Sequence, residues 1–123
     1  MTPGLWVLRA RFQPGYEIET HRHTGCVFAV TEKGRWFYRE YPEVVNSPGS
    51  YLFEPAGSVH TLTTPKDQVG ETVVWFAIYG ANLNLDDKGN ITGVLDAPTV
   101  LGIYRSLCAA QKLDGSKVIV HGE

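Results

Sequence analysis

The feature that most constrains this chain is the regular interruption of short apolar segments by glycine and proline. Thirteen glycines and seven prolines are spread over 123 residues, and the segments between them are rich in valine, threonine and aromatic residues. Such residues favour strands, and turn signals at intervals of about 8 to 12 residues are typical of a β-sandwich or β-barrel. The sequence therefore predicts an all-β domain, and its length suits one hydrophobic core.

Several strands are predicted around these turn signals. We expect strands at 5–12 ("LWVLRARF") and 16–23 ("YEIETHRH"), separated by the turn "QPG". The segments "CVFAVTE" and "RWFYREY" flank "KG", which predicts a β-hairpin. Further strands are expected in "SYLFEPAGSVHTLTT", in "GETVVWFAIYGANLNL" and, after the turn "DDKGN", in "ITGVL".

The C-terminal part of the chain has a helical pattern instead. Apolar residues recur there at the spacing of one helix face, at Val100, Ile103, Tyr104, Leu107 and Cys108. Asp96 is the predicted N-cap, Pro98 falls in the first turn and Gly115 is the predicted stop. Gly102 weakens the helix by about 1 kcal/mol relative to alanine, so we expect the helix to depend on packing against the sheet. The predicted organisation is a single domain, with a barrel over about 5–95 and a helix over about 97–113. A tail over 114–123 follows, and it forms either a last strand or a loose end.

The charge of the chain argues against two classes of partner. The formal net charge is −2, whereas nucleic-acid-binding domains usually carry a strongly basic face. No apolar run reaches the roughly 18 residues of a membrane span, and the start of the chain lacks the pattern of a signal peptide. We therefore expect no nucleic-acid and no membrane partner. Because two cysteines, Cys26 and Cys108, do not make a disulfide framework, we also expect a cytoplasmic location.

The histidines form the strongest functional pattern. In "EIETHRHTG" His21 and His23 are two residues apart, so in a strand both point to one face and Arg22 points to the other. Two imidazoles on one face can bind the same metal ion, since each bond is only about 2.0–2.1 Å long. His60, after the turn at Pro55 and Gly57, is the candidate third ligand. The alternative is that these are hydrogen-bonded or surface histidines of an ordinary sheet.

The first of two glycine–histidine patterns resembles the first signature of the cupins. Gly15 is followed by five residues, "HRH", three residues, Val27, six residues and Gly34. The cupin signature usually has a glutamate ligand where this chain has Val27. The first signature thus supplies two histidines and lacks the carboxylate.

The second pattern resembles the second cupin signature. Gly49 is followed by "SYLFE", Pro55, Ala56, Gly57, two residues and His60. Only 14 residues separate Gly34 from Gly49, which is typical of small single-domain cupins. The resemblance implies a double-stranded β-helix, that is, a jelly-roll barrel. It also implies a divalent metal ion inside the barrel, bound by His21, His23 and His60.

Within the cupins the chain resembles the branch that contains acetylacetone dioxygenase and 2,4'-dihydroxyacetophenone dioxygenase. The matching stretches are "HRHTG", "GRWFYREY", "GSYLFEPAGSVHTL" and "GANLNLDDKGNITGVLDAPTVLGIYR". The resemblance implies a homodimer, because open barrel edges and aromatic surfaces often pair. Since the chain begins closer to its first signature than this branch, we expect it to lack an N-terminal strand.

Two carboxylates are candidates for supporting or catalytic roles. In the acetylacetone dioxygenase branch a glutamate at the place of Glu54 supports the metal ligands, since a ligating imidazole needs an acceptor for its other N–H. The alternative for Glu54 is a solvated strand carboxylate. Glu40 is expected on the same strand face as Trp36 and Tyr38, from which it would approach the metal or act as a base. Its alternative is an ion pair with a surface arginine.

Aromatic side chains are predicted to line a substrate pocket, since eight-stranded barrels leave room for one small ligand. The alternative for each is ordinary core packing. An apolar lining favours an aromatic or diketone ligand. The predicted pocket residues are Trp36, Tyr38, Phe53 and Phe76.

The resemblance implies a dioxygenase that uses O2 to cleave a C–C bond of a small enolisable ketone, a β-diketone or an aryl hydroxyketone. Fe(II) is the expected metal, and Zn(II), Ni(II) and Mn(II) are alternatives, because nitrogen ligands bind several divalent ions. The competing hypothesis is a non-catalytic cupin that senses or binds a small ligand, or that holds zinc as a structural ion. A barrel without metal is the least favoured alternative.

Overall fold

The computed structural model describes residues 4–121 and contains, within that range, eleven strands and one helix. The elements are β1 (Leu5–Phe12), β2 (His21–His23), β3 (Val27–Lys33), β4 (Trp36–Tyr38), β5 (Tyr41–Asn46), β6 (Tyr51–Glu54), β7 (Val59–His60), β8 (Leu62–Thr63), β9 (Thr72–Tyr79), β10 (Asn82–Leu85), β11 (Ile91–Leu95) and α1 (Ala97–Ala110). The prediction of an all-β fold with one C-terminal helix is confirmed.

The strands form three antiparallel sheets. Two have four strands, in the orders β1-β9-β3-β6 and β11-β10-β2-β7, and the third has the order β5-β4-β8. Strands that follow one another in the chain often lie in different sheets, as β2 and β3 do. This crossing brings residues from distant parts of the sequence to one interior.

The core lies on the inner face of the β1-β9-β3-β6 sheet. Apolar residues alternate along β9, where Val74, Phe76 and Ile78 are buried while Trp75 and Tyr79 are more than two-fifths exposed. Burying one such side chain contributes about 1.5–3 kcal/mol, so this face supplies much of the driving force for folding. The core cluster consists of Trp6, Val27, Ala29, Trp36, Leu62, Val74, Phe76, Ile78 and Ala97.

The hairpin predicted at "KG" is wrong. β3 pairs with β6 and β9, whereas β4 pairs with β5 and β8, so the two strands that flank Gly34 lie in different sheets. Gly34 has φ +77°, and a Cβ atom there would lie 2.5 Å from Oγ1 of Thr72. The glycine therefore allows the chain between β3 and β4 to pass close to β9. A turn signal in the sequence does not distinguish such a crossing from a hairpin.

Two predicted strands have different bounds in the structure. The segment predicted at 16–23 is extended, but only His21–His23 forms a strand; before it, Glu17 makes an isolated bridge with Thr63. The strand predicted at 35–41 ends at Tyr38, and β5 at Tyr41–Asn46 was not predicted. The strand predicted at 91–95 and the turn before it are confirmed.

Helix α1 begins as predicted, because Asp96 Oδ1 accepts a hydrogen bond from the Thr99 N–H at 3.0 Å. It ends at Ala110, before the predicted end at 113. The predicted apolar face does not pack against the sheet as a whole, since Ile103 is 47% and Leu107 54% exposed. The helix contacts the core cluster at its first turns, where Ala97 is buried and Val100 lies against the core, and Cys108 near its end is also buried.

The tail forms no strand over 114–121, and its last two residues lie outside the described range. Within residues 4–121 no helix has the length and hydropathy needed to cross a bilayer.

Candidate metal centre

Three histidines from two neighbouring strands meet inside the barrel. β2 and β7 are antiparallel with His21 directly opposite His60, and His23 lies two residues further along the same face of β2. The ring centroids are 4.6 to 5.0 Å apart, and each residue is at most 5% exposed. Each ring offers one nitrogen atom, and these three atoms lie within 4.8 Å of one another. The structure thus brings the predicted ligand set together.

The surroundings keep all three imidazoles neutral at neutral pH. Burial and the neighbouring His21 together lower the pKa of His23 to about 4. Burial, His21 and His23 together lower the pKa of His60 to about 3. Burial also lowers the pKa of His21, although a backbone contact with Glu19 and the charge of Glu40 oppose this. Neutral imidazole is the form that binds metal ions, so no proton needs to be displaced at pH 7.

Hydrogen bonding leaves nitrogen atoms of this cluster available to a metal ion. His21 Nδ1 lies 2.9 Å from the Glu19 carbonyl oxygen, to which it donates, so its Nε2 keeps a free lone pair. His60 Nδ1 lies 3.4 Å from Glu54 Oε1. His23 Nδ1 is buried without a hydrogen-bond partner in the described part of the chain. A buried, unpaired ring nitrogen beside two other imidazoles fits a divalent metal site, and the donor set suits Fe(II), Zn(II) or Ni(II).

Glu54 places a carboxyl group beside the histidines. In the β3–β6 pair Glu54 lies directly opposite Val27, the position of the usual glutamate. Its carboxylate sits between two ligands, with Oε1 3.4 Å from His60 Nδ1 and Oε2 3.8 Å from His23 Nε2. Burial raises the pKa of Glu54 to about 7, and the nearby Tyr38 hydroxyl opposes that rise. A carboxyl group that titrates near pH 7 thus lies beside the histidines, on the strand paired with that of Val27.

Glu40 does not join the cluster of three imidazoles. Because β4 ends at Tyr38, Glu40 falls in the following turn and not on the strand face predicted for it. Its carboxylate accepts hydrogen bonds from the Thr61 N–H at 2.7 Å and from the Thr61 hydroxyl at 2.9 Å. The Thr61 hydroxyl also lies 2.6 Å from that of Thr20. Since Thr61 follows His60 and Thr20 precedes His21, Glu40 fixes the backbone beside two of the histidines.

The histidines form part of the wall of a mainly apolar cavity of about 200 Å³. This volume is below the roughly 300–1,000 Å³ of pockets for drug-sized ligands, so the cavity suits a small molecule. Two of the predicted pocket residues, Tyr38 and Phe76, line it. The lining residues are Trp6, Leu8, Ala10, Phe12, Ile18, His21, His23, Tyr38, His60, Leu62, Phe76, Ile78, Asn82 and Leu95.

Trp36 and Phe53 are not among the residues that line this cavity. Trp36 is fully buried in the core, where its Nε1–H donates to the Thr31 hydroxyl at 2.8 Å. Phe53 is 52% exposed and packs against Phe28 on the outer face of the sheet. The reason is the alternation of β6, in which Glu54 takes the inward position and Phe53 must therefore point outward.

Sequence reasoning missed most of the cavity residues, and two groups of them are informative. The first, Trp6, Leu8, Ala10 and Phe12, alternates along β1 with outward residues, and this period of two was a usable signal. The second is Asn82, for which the hydrophobic pattern gave the opposite indication. In "NLNL" the leucines are expected to face the core, yet Asn82 is buried and Leu83 is not.

Comparison with known proteins identifies the architecture. Residues 1–81 match the family described as the ChrR cupin-like domain. A protein of unknown function with a cupin-like fold from Ralstonia eutropha is 37% identical, with a TM-score of 0.93 over 100% of this chain and 76% of that one. An RmlC-like cupin from the same organism is 30% identical, with a TM-score of 0.83 over 90% of this chain and 70% of that one. No curated protein matches the chain.

A more distant similarity extends to an acetylacetone dioxygenase from Acinetobacter johnsonii. It is 21% identical, with a TM-score of 0.74 over 84% of this chain and 69% of that one, which is evidence for a shared fold. The jelly-roll barrel and the buried histidines define a cupin, as the sequence signatures predicted. The chain belongs to the ChrR cupin-like family.

Proposed function

We propose that this cupin is a metal-dependent dioxygenase that cleaves a C–C bond of a small enolisable ketone with O2. The observation that carries the proposal is the position of three neutral, buried imidazoles in the wall of a small apolar cavity. A ligand that fits there needs an apolar body and oxygen atoms that can bind a metal ion. β-Diketones and aryl hydroxyketones have both features.

His21, His23 and His60 would hold the ion and leave coordination positions open to a ligand. Because all three are neutral, they do not compensate the charge of a divalent ion, so an anionic ligand such as an enolate is favoured. When bound, Fe(II) supplies Lewis-acid stabilisation of the enolate oxygens and electrons for the reduction of O2. The apolar walls bind the body of the ketone and exclude water from the reaction.

Tyr38 connects the same cavity with Glu54. Its ring stacks on the His60 ring with a centroid distance of 4.0 Å. Burial and the charge of Glu54 raise the pKa of the Tyr38 hydroxyl, so it stays protonated at neutral pH. Tyr38 therefore packs against His60, and its hydroxyl interacts with the Glu54 carboxyl group behind the ligands.

Fe(II) is the proposed metal, with Zn(II), Ni(II) and Mn(II) as alternatives, because the donor set does not select among them. The homodimer and the cytoplasmic location stay predictions.

Oxygen uptake tests the proposal. The protein is loaded anaerobically with Fe(II), given acetylacetone or a hydroxyacetophenone, and followed with an oxygen electrode. We expect uptake that depends on both ketone and iron and that is absent from the His60→Ala variant and from the zinc-loaded protein. No uptake with either ketone would contradict the proposal.

The second candidate function is a non-catalytic cupin that binds a small ligand or keeps zinc as a structural ion. It is favoured by the same three histidines, since zinc accepts three imidazoles and a water molecule. The two functions predict different behaviour of the zinc-loaded protein. A binding protein would be functional with zinc, whereas the oxygenase would be inactive with zinc. Ligand binding without oxygen uptake in the iron-loaded protein would favour this second function.

A further inference from the structure

Asn82 is a buried polar side chain in the cavity, and the proposed metal chemistry does not use it. It lies on β10 directly opposite His23, so both side chains are on the same face of the sheet. It lines the cavity and is 9% exposed. Asn82 is thus one of the few polar groups in an otherwise apolar chamber, beside the candidate metal ligands.

The two ends of the Asn82 amide have different partners. Its Nδ2 donates to Asn84 Oδ1 at 3.3 Å, which fixes the orientation of the amide. Its Oδ1 is buried and accepts no hydrogen bond from the part of the chain that the structure describes. An unsatisfied buried acceptor costs about 1–3 kcal/mol. A ligand with a correctly placed donor would remove that cost.

The sequence pattern makes this placement informative. The alternation of "NLNL" would bury the leucines in a strand chosen for stability alone. The structure instead turns Asn82 inward, opposite His23. Local rules of this kind are broken mainly at functional sites, so the inward amide indicates a role in ligand recognition.

We propose that Asn82 is a specificity-determining residue, whose Oδ1 accepts a hydrogen bond from an O–H or N–H group on the ligand in the cavity. The inference rests on the proposed function and deepens it. It assigns to the site a ligand that carries a hydrogen-bond donor near its chelating oxygens, such as an α-hydroxyketone. A diketone enolate has no such donor and leaves Asn82 Oδ1 unpaired.

The test uses two ligands with one carbon skeleton, acetyl benzoyl, which is an aryl α-diketone, and the α-hydroxyketone made by reducing its acetyl carbonyl. Both chelate through adjacent oxygens, and only the second has an O–H donor. Each ligand is titrated into the protein by calorimetry, in the presence and in the absence of zinc. Zinc is used in place of iron because it does not reduce O2. For Asn82→Leu we expect about 2- to 12-fold weaker binding of the hydroxyketone, which is the effect of one net hydrogen bond. Binding of the diketone should stay within about 2-fold of the wild type, since the diketone has no donor to pair with Asn82 Oδ1.

A second variant guards against loss of folding in Asn82→Leu. Asn82→Asp has the same shape and keeps an acceptor at this position, and we expect it to retain the preference for the hydroxyketone. Circular dichroism and metal content establish that each variant is folded and loaded. Equal effects of Asn82→Leu on both ligands, or loss of the preference in Asn82→Asp, would overturn the inference, as would failure of the wild type to bind the hydroxyketone.

These outcomes are separable from those of the oxygen-uptake experiment. If Asn82→Leu weakens only hydroxyketone binding while the iron-loaded protein takes up no oxygen, the dioxygenase proposal fails and the assignment of Asn82 stands. If oxygen is consumed and Asn82→Leu treats the two ligands alike, only the assignment of Asn82 fails.

Discussion

The two four-stranded sheets of the barrel use their inner faces in opposite ways. On β9 the inward residues Phe76 and Ile78 are large and apolar, and they alternate with outward residues. On β2 and β10 the inward residues are His23 and Asn82, although leucines were available on β10. The first sheet follows the hydrophobic pattern except at Glu54, and the second departs from it where the candidate site lies. The apolar residues that stabilise the fold and most polar residues of the candidate site thus lie on different walls of one cavity.

The largest expected effect comes from the polar wall. Replacing His60 with alanine removes one of three ligands and opens the cluster, so we expect the purified protein to lose almost all bound metal while the fold is kept. Elemental analysis alongside circular dichroism measures both quantities. Full metal content in His60→Ala would mean that the ligands are wrongly assigned.

The next effect comes from the apolar wall. Phe76→Ala removes a buried aromatic ring and leaves a cavity, which typically costs about 3–5 kcal/mol in the free energy of unfolding. Urea denaturation of the metal-free protein measures this loss. Asn82→Leu is the matched control on the other wall, and it should not lower stability, because it removes an unsatisfied buried acceptor. Comparable losses in the two variants would remove the distinction between the walls.

A smaller effect is expected at Glu54, the one inward carboxylate of the apolar sheet. Partners of metal-bound imidazoles typically contribute about 10- to 100-fold to metal affinity. Glu54→Gln should therefore weaken zinc binding by that factor, as measured by competition with a chelator, while Glu32→Gln on the outer surface leaves it unchanged. Unaltered affinity in Glu54→Gln would show that its position between His23 and His60 has no role in binding.

The last effect is expected in acid and is partly compensated, because the titration of Glu54 opposes that of two histidines in the metal-free protein. The unfolded chain takes up protons on His23 and His60 near pH 6.5, whereas the folded chain does so only near about 4 and 3. Stability should therefore fall as the pH falls from 6.5 towards 4. Glu54, with its pKa raised to about 7, contributes the opposite trend between pH 7 and 4.5.

Glu54→Gln removes this compensation, and its stability should fall more steeply with acid than that of the wild type. Urea denaturation at a series of pH values, with a chelator present, measures both slopes. Equal slopes in the two proteins would contradict the assigned titrations.

Much of this arrangement could be predicted from local sequence. The strand at 5–12, the N-cap at Asp96 and the spacing of His21, His23 and His60 all express short-range geometry, and each has its expected position in the structure. The crossing at Gly34 could not be predicted, because a glycine turn does not specify which sheet the next strand joins. That choice depends on long-range pairing.

The inward or outward direction of particular side chains was also only partly predictable. Phe53 was expected inside because it is aromatic, yet Glu54 takes the inward position beside the histidines. Asn82 was overlooked for the opposite reason, since polarity suggested an outward position. Hydrophobicity predicts direction well where burial alone decides and poorly where a site requires polar atoms inside.

The central claim is that three imidazoles from β2 and β7 surround one metal ion. X-ray absorption spectroscopy of the zinc-loaded protein tests it most directly, because the spectrum reports the number and type of ligand atoms. We predict three imidazole nitrogens at about 2.0–2.1 Å and no sulfur at about 2.3 Å. Fewer than three imidazoles, or a sulfur ligand such as Cys26, would contradict the account.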